Sequence, residues 1–265
     1  MSAKAAIWLV GCGNMGGAML RGWIDAGVDP QTILVIDPAN PDLPAGVMLT
    51  AKAQGPAPDI LLLGIKPQML AEVAPTLAIG PHTLVVSILA GVETKSLKTH
   101  LPGAAAYVRV MPNMPAAIGE GVSVIFGPTL DAAGKAQIDQ LMTPLGHVEW
   151  VEDEDAFHAV TGVSGSGPAF VFRFIDALAK AGVLQGLSHP LALRLALETV
   201  AGSARLALST GQAPSDLAEA VRSPNGTTHA GLTVLDTSDL AELMAAIVAA
   251  AAKRSRELAN AAKPD

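Results

Sequence analysis

Residues 7–16 read Ile-Trp-Leu-Val-Gly-Cys-Gly-Asn-Met-Gly, an apolar run leading straight into G-x-G-x-x-G. Glycines at this spacing suit the pyrophosphate of a dinucleotide. Gly11 permits a tight turn after a strand, Gly13 lets the backbone approach a phosphate, and Gly16 lets the following helix pack closely. The N-terminus of that helix then presents its amides to the phosphates. Val10, Cys12, Asn14 and Met15 complete the loop and join the glycines as candidate dinucleotide contacts. Asp37 stands about 20 residues further on, where an acid meets the hydroxyls of an adenosine ribose. The competing reading is a glycine turn that binds nothing. Strand, glycines, helix, strand and acid in that order favour the dinucleotide.

Three further loops follow apolar runs: Lys66-Pro67-Gln68, the stretch from Ser87 to Gly91, and the stretch from Arg109 to Pro115. In an open α/β sheet, ligands bind outside the carboxyl ends of the strands, so these loops are expected to line the nicotinamide end. Two polar islands lie in the second half. Ser164-Gly165-Ser166-Gly167-Pro168 allows a close approach, by a cofactor or by a crossing helix. Ser223-Pro224-Asn225-Gly226-Thr227-Thr228 precedes a short helix. Its amides and hydroxyls form an anion site, while Thr227 or Thr228 is also placed to act as an N-cap. Conventional catalytic groups are scarce. His82, His100, His147, His158, His189 and His229 are scattered, and no metal site is expected. There is no G-x-S-x-G, and Cys12 is the sole cysteine. Hydride transfer to an imine fits such a site, because a protonated imine is already electrophilic and asks mainly for positioning.

The elements that must hold these residues change character along the chain. Apolar runs at 60–65, 83–89, 106–110, 122–126 and 148–151 join those at 7–10 and 33–36 as strands alternating with helices. That alternation predicts a parallel sheet. From 153 onward the pattern is helical, over 155–181, 190–210, 215–221, 228–235 and 239–260. The expected architecture is a Rossmann-type α/β dinucleotide-binding domain over 1–152 and an all-α dimerisation and substrate domain over 153–265. Between 190 and 208 the only charges are Arg194, Glu198 and Arg205, and 244–252 has none. Helices apolar nearly all round need burial on several sides, which points to a second subunit. The formal charge of -7 argues against nucleic acid as a partner. No run reaches the ~18 apolar residues of a membrane span. A single cysteine fits a reducing cytoplasm.

These motifs together resemble the pyrroline-5-carboxylate reductase family along essentially the whole chain. The likeness rests on residues 7–15, Gly64-Ile65-Lys66-Pro67-Gln68, Ser87 to Gly91, Arg109 to Pro115 and Gly162 to Phe170. The most specific part is Val221 to Leu232, similar to the family signature Ser-Pro-Gly-Gly-Thr-Thr with its flanks. The resemblance implies reduction of 1-pyrroline-5-carboxylate to L-proline, the last step of proline biosynthesis, with NADPH or NADH. It implies a homodimer or a larger homo-oligomer. It assigns Ser223, Asn225, Gly226, Thr227 and Thr228 to the substrate, with Thr228 catalytic beside the ring nitrogen. Ile65, Lys66, Pro67, Ile88, Leu89 and Ala90 become neighbours of the nicotinamide. The chain departs from the family twice. Asn225 replaces a glycine, and Asp37 stands where an acid repels a 2′-phosphate. The alternatives are another imine or β-hydroxyacid reductase of the same plan, or a catalytically silent dinucleotide-binding dimer. Against the hydroxyacid version, Pro168 to Phe172 holds no lysine to serve as a base.

Overall fold

The computed structural model describes residues 6–261. Its strands are β1 (Ile7–Val10), β2 (Ile33–Ile36), β3 (Met48–Thr50), β4 (Ile60–Leu63), β5 (Leu84–Ser87), β6 (Ala106–Met111), β7 (Gly121–Phe126) and β8 (Gly146–Trp150). They form one eight-stranded sheet in the order β3-β2-β1-β4-β5-β6-β7-β8. All neighbours pair in parallel except β6 and β7. The central strands are apolar on both faces because both faces are covered. Along β1 and β4, successive side chains point to opposite sides. Leu9 and Leu62 enter one core with Met19, Leu20 and Trp23. Trp8, Val10, Leu61 and Leu63 enter the other with Leu97 and Leu101. Trp23 still satisfies its buried ring N–H by donating to the Leu141 carbonyl at 2.7 Å. Strand order reverses between β1 and β4, and the loops leaving their carboxyl ends lie beside each other at that switch.

The helices are α1 (Asn14–Asp25), α2 (Leu70–Val73), α3 (Thr94–His100), α4 (Ala132–Met142), α5 (Ala156–Val160), α6 (Gly167–Leu184), α7 (His189–Thr210), α8 (Pro214–Ala220), α9 (Thr227–Asp236) and α10 (Leu240–Ala261). Packing separates Gly167–Val248 as one compact unit. The other unit takes the residues up to Ser166 together with those from Ala249 onward. Within the helical unit α6 and α7 meet through Ile175, Ala179 and Ala196.

Four details differ from the sequence reading. β3 is short and only half-buried, so it leaves no apolar run to detect. β7 runs antiparallel because the segment from Met111 to Gly121 is too short for a parallel crossover, which takes about a dozen residues or more. The helix expected over 155–181 is broken: a π-helical turn at Thr161–Gly165 separates α5 from α6. The strand expected over 106–110 runs on through Met111, so the loop after it begins at Pro112 and not at Arg109.

Candidate functional site

The glycine loop is held by contacts that a side chain would destroy. Gly11 has φ +87°, and a Cβ there would lie 2.8 Å from Ile65 Cγ2 and 2.9 Å from the Gly64 carbonyl carbon. A Cβ on Gly16 would lie 2.6 Å from the Gly11 carbonyl oxygen. Gly13 is different, for nothing in the chain comes within 4 Å of where its Cβ would stand. The protein itself demands Gly11 and Gly16, whereas the space at Gly13 is open to a ligand. Gly13 also caps α1 without any side-chain hydrogen bond, and the first turn of α1 contains no acid. The amides of Asn14, Met15 and Gly16 are therefore left for an anion by the geometry of a helix start. Asn14 is exposed, Cys12 and Met15 are half-buried, and Val10 is buried as the last residue of β1. This arrangement fits a dinucleotide.

Asp37 follows β2 and binds the same loop. Its Oδ2 accepts from the Cys12 amide at 2.8 Å, and its Oδ1 accepts from the Ala39 amide at 2.8 Å. Its own amide donates to the Thr50 carbonyl of β3 at 3.0 Å, so the strand missed in the sequence braces the acid. Burial pushes the Cys12 thiol up, the Asp37 charge adds to the rise, and Arg21 opposes it. A neutral thiol is a poor nucleophile, so Cys12 contributes shape rather than reactivity.

The neighbouring loops sit as follows. The Gly64 amide donates to the Val10 carbonyl at 2.8 Å, fastening the β4 end to the β1 end. Ile65 and Pro67 are half-buried and Lys66 is exposed. Ile88 is half-buried and Ala90 exposed, but Leu89 is buried in the core. Ser87 Oγ accepts the Leu89 amide at 3.2 Å and shapes that turn. Arg109 does not reach this rim. It is buried, donates to Glu154 Oε1 at 2.9 Å, and stacks 4.4 Å over the Phe157 ring. Asn113 is likewise structural: its Oδ1 accepts from the Val122 amide, and its Nδ2 donates to Ser164 at 3.3 Å.

The second island, in the helical unit, is a tight turn entering a helix. The Gly226 amide donates to the Ser223 carbonyl at 3.0 Å, and Asn225 takes the left-handed conformation at φ +58°. Asparagine tolerates that region better than most residues, so the turn keeps its shape without the family's glycine. A Cβ on Gly226 would collide with Ser223 Oγ. Gly226 is the N-cap of α9, with no side-chain cap bond. The capping expected of Thr227 or Thr228 is thus absent, since both lie inside the first turn. The amides of Thr227, Thr228 and His229 lack intrahelical partners. Ser223, Asn225 and Thr227 are exposed and Thr228 is half-buried. Sequence reasoning missed the clamp behind the turn. Arg222 donates through Nε to His229 Nδ1 at 3.2 Å and through Nη1 to Glu219 at 3.0 Å, with Asp236 at 3.5 Å. The signal was present as an arginine directly before the turn and a histidine directly after its threonines.

Known proteins resemble this chain over nearly its whole length. Residues 154–258 match the family model described as pyrroline-5-carboxylate reductase dimerisation. Residues 6–91 match the model described as NADP oxidoreductase coenzyme F420-dependent. The chain is 35% identical to pyrroline-5-carboxylate reductase of Pisum sativum, with 97% of each chain covered. It is 37% identical to that of Pseudomonas aeruginosa over 96% of this chain and 97% of the relative. Among solved structures, pyrroline-5-carboxylate reductase from Coxiella burnetii superposes with a TM-score of 0.86 at 33% identity, covering 96% and 98% of the two chains. The Plasmodium falciparum enzyme with NADP bound gives a TM-score of 0.84 at 25% identity, covering 98% and 99%.

Proposed function

The chain belongs to the pyrroline-5-carboxylate reductase family, and from that premise we propose how its own residues carry out the reaction. It is an oxidoreductase that reduces 1-pyrroline-5-carboxylate to L-proline with NADPH or NADH. The reduced nicotinamide, when bound, supplies the hydride. The loop from Val10 to Gly16 holds the pyrophosphate through the amides at the start of α1, and Asp37 receives the adenosine ribose. Ile65, Lys66, Pro67, Ile88, Leu89 and Ala90 form the rim at the nicotinamide end. Leu89, buried with its amide bonded to Ser87 Oγ, shapes that rim from beneath.

The substrate carboxylate sits on the amides of the α9 first turn, within the turn made by Ser223, Asn225, Gly226 and Thr227. The Thr228 hydroxyl hydrogen-bonds the ring nitrogen. That nitrogen changes from an imine to an amine as its carbon gains hydride, and a positioned hydroxyl holds it through the change. The observation that carries this reading is the cap of α9. Because Gly226 caps the helix with backbone alone, neither threonine hydroxyl is spent on the cap.

In this reading residues 1–152 bind the dinucleotide and residues 153–265 bind substrate and partner subunit. The match of 154–258 to a dimerisation model supports homo-oligomerisation. The assembly is a homodimer or a multiple of it, working in the cytoplasm without nucleic acid or membrane. Among the described residues no helix is long and apolar enough to cross a membrane. The test is nicotinamide oxidation with 1-pyrroline-5-carboxylate, with proline identified as product, beside the six-membered cyclic imino acid. Cofactor binding without turnover of the five-membered substrate would refute the reading.

A further inference from the structure

We propose that Asp37 makes this reductase select NADH over NADPH, in contrast to the Plasmodium falciparum relative solved with NADP. The inference rests on the dinucleotide reading of the glycine loop and deepens it.

The carboxylate is fixed in place. Its two oxygens are each held at 2.8 Å by a backbone amide, one from Cys12 in the glycine loop and one from Ala39 in the turn that follows. An ionised carboxylate only accepts hydrogen bonds, and it has about four lone-pair sites, so two remain for donors. The 2′- and 3′-hydroxyls of an unmodified ribose are such donors. A 2′-phosphate brings acceptor oxygens and negative charge to the same place, and Asp37 has no freedom to turn away.

One cation lies beside the glycine loop, Arg21 of α1, which opposes Asp37 at the Cys12 thiol but among the described residues forms no ion pair with the carboxylate. The Asn40 amide closes the turn onto the Asp37 carbonyl at 3.4 Å, and Asn40 takes φ +52°. Pro38, Ala39 and Asn40 bring no cation, and Asp42 adds a second acid shortly after. The nearest basic residue along the adjoining strand is Lys52, just past Thr50. It is exposed and makes no ion pair with Asp37, and its hydrogen bonds run through its backbone, the carbonyl accepting from Thr50 Oγ1 at 2.9 Å and the amide donating to the same oxygen at 3.4 Å. A mobile ammonium in water is screened, whereas the anchored carboxylate lies at the ribose itself. The fixed acid decides the preference.

Two measurements test this on the full-length protein. Direct binding of NADH and NADPH, read by nucleotide fluorescence without the imine, should favour NADH by about tenfold or more, and kcat/KM ratios with substrate should agree. Asp37→Asn removes the charge and keeps an acceptor oxygen for the loop. It should move the binding ratio toward NADPH by about tenfold or more. Lys52→Ala should leave the ratio where it is. A wild-type preference for NADPH, a ratio unmoved by Asp37→Asn, or a large loss of NADPH binding in Lys52→Ala would each overturn the proposal. NADH-selective binding with no turnover of the imine would uphold Asp37 and count against the reductase reading alone.

Discussion

Thr228 tests whether one hydroxyl does the work usually given to an acid. Thr228→Ala removes a single positioned hydrogen bond, worth about 1–3 kcal/mol, or roughly 10- to 100-fold in kcat. Dinucleotide affinity should barely change, because the glycine loop is untouched. Thr228→Ser should retain much of the rate. A wild-type kcat in Thr228→Ala would leave the residue as ordinary helix surface. At this scale the glycine loop was readable, because G-x-G-x-x-G encodes backbone geometry directly and the contacts at Gly11 and Gly16 are what it predicts. Arg109 was not readable. It lies in a motif that looks like a rim loop, and only the fold shows it turned inward to Glu154.

Between elements, Glu154 joins three parts of the first unit. It accepts from Arg109 of β6 and from both the amide and the hydroxyl of Thr94, at the start of α3. Glu154→Ala would leave a buried guanidinium and a helix start without their acceptor. Breaking such a pair costs about 3–5 kcal/mol when fully buried, and the partial exposure of Glu154 brings the expected loss in urea unfolding to about 2–4 kcal/mol. His158 of α5 adds a pH dependence. Burial lowers its pKa, the charges of Arg256 and Arg109 lower it further, and Asp155 and Glu93 pull the other way. The folded state thus prefers the neutral ring, which contacts Ser255 Oγ of α10 at 3.0 Å. Its stabilisation is complete above the unfolded value of about 6.5 and is lost as pH falls through the lowered folded value. The unfolding midpoint should therefore fall from pH 7 to pH 5, and His158→Gln should flatten that trend. An unaltered slope in the variant would remove His158 from the account. None of these inter-element ties has a sequence pattern, since their partners lie far apart in the chain and meet only after β6, α3 and α5 have packed. β3 escaped notice for the opposite reason: it has too few buried residues to show a period.

The molecule as a whole leaves much of its apolar surface uncovered in one chain. Leu184 is 84% exposed and Leu208 85%, and Phe172, Phe174, Leu195 and Leu243 are also exposed. Light scattering at micromolar concentration should show at least a dimer, and specific activity should fall on dilution as the dimer dissociates. A stable monomer with full activity would contradict this. The charge-poor stretches at 190–208 and 244–252 made this legible from sequence, whereas the split into two packing units was not. The second unit interrupts the first, because α10 crosses from one to the other. Gly91, at φ +77°, lies so near α10 that a Cβ would come within 3.0 Å of the Ala259 amide nitrogen. Ala252 and Ala259 are buried there. During translation the nucleotide unit therefore emerges first yet waits for a piece made after the entire helical insert. A ribosome-bound chain that ends before α10 lacks the residues that pack against Gly91, so this unit is completed only after the helical insert has been made.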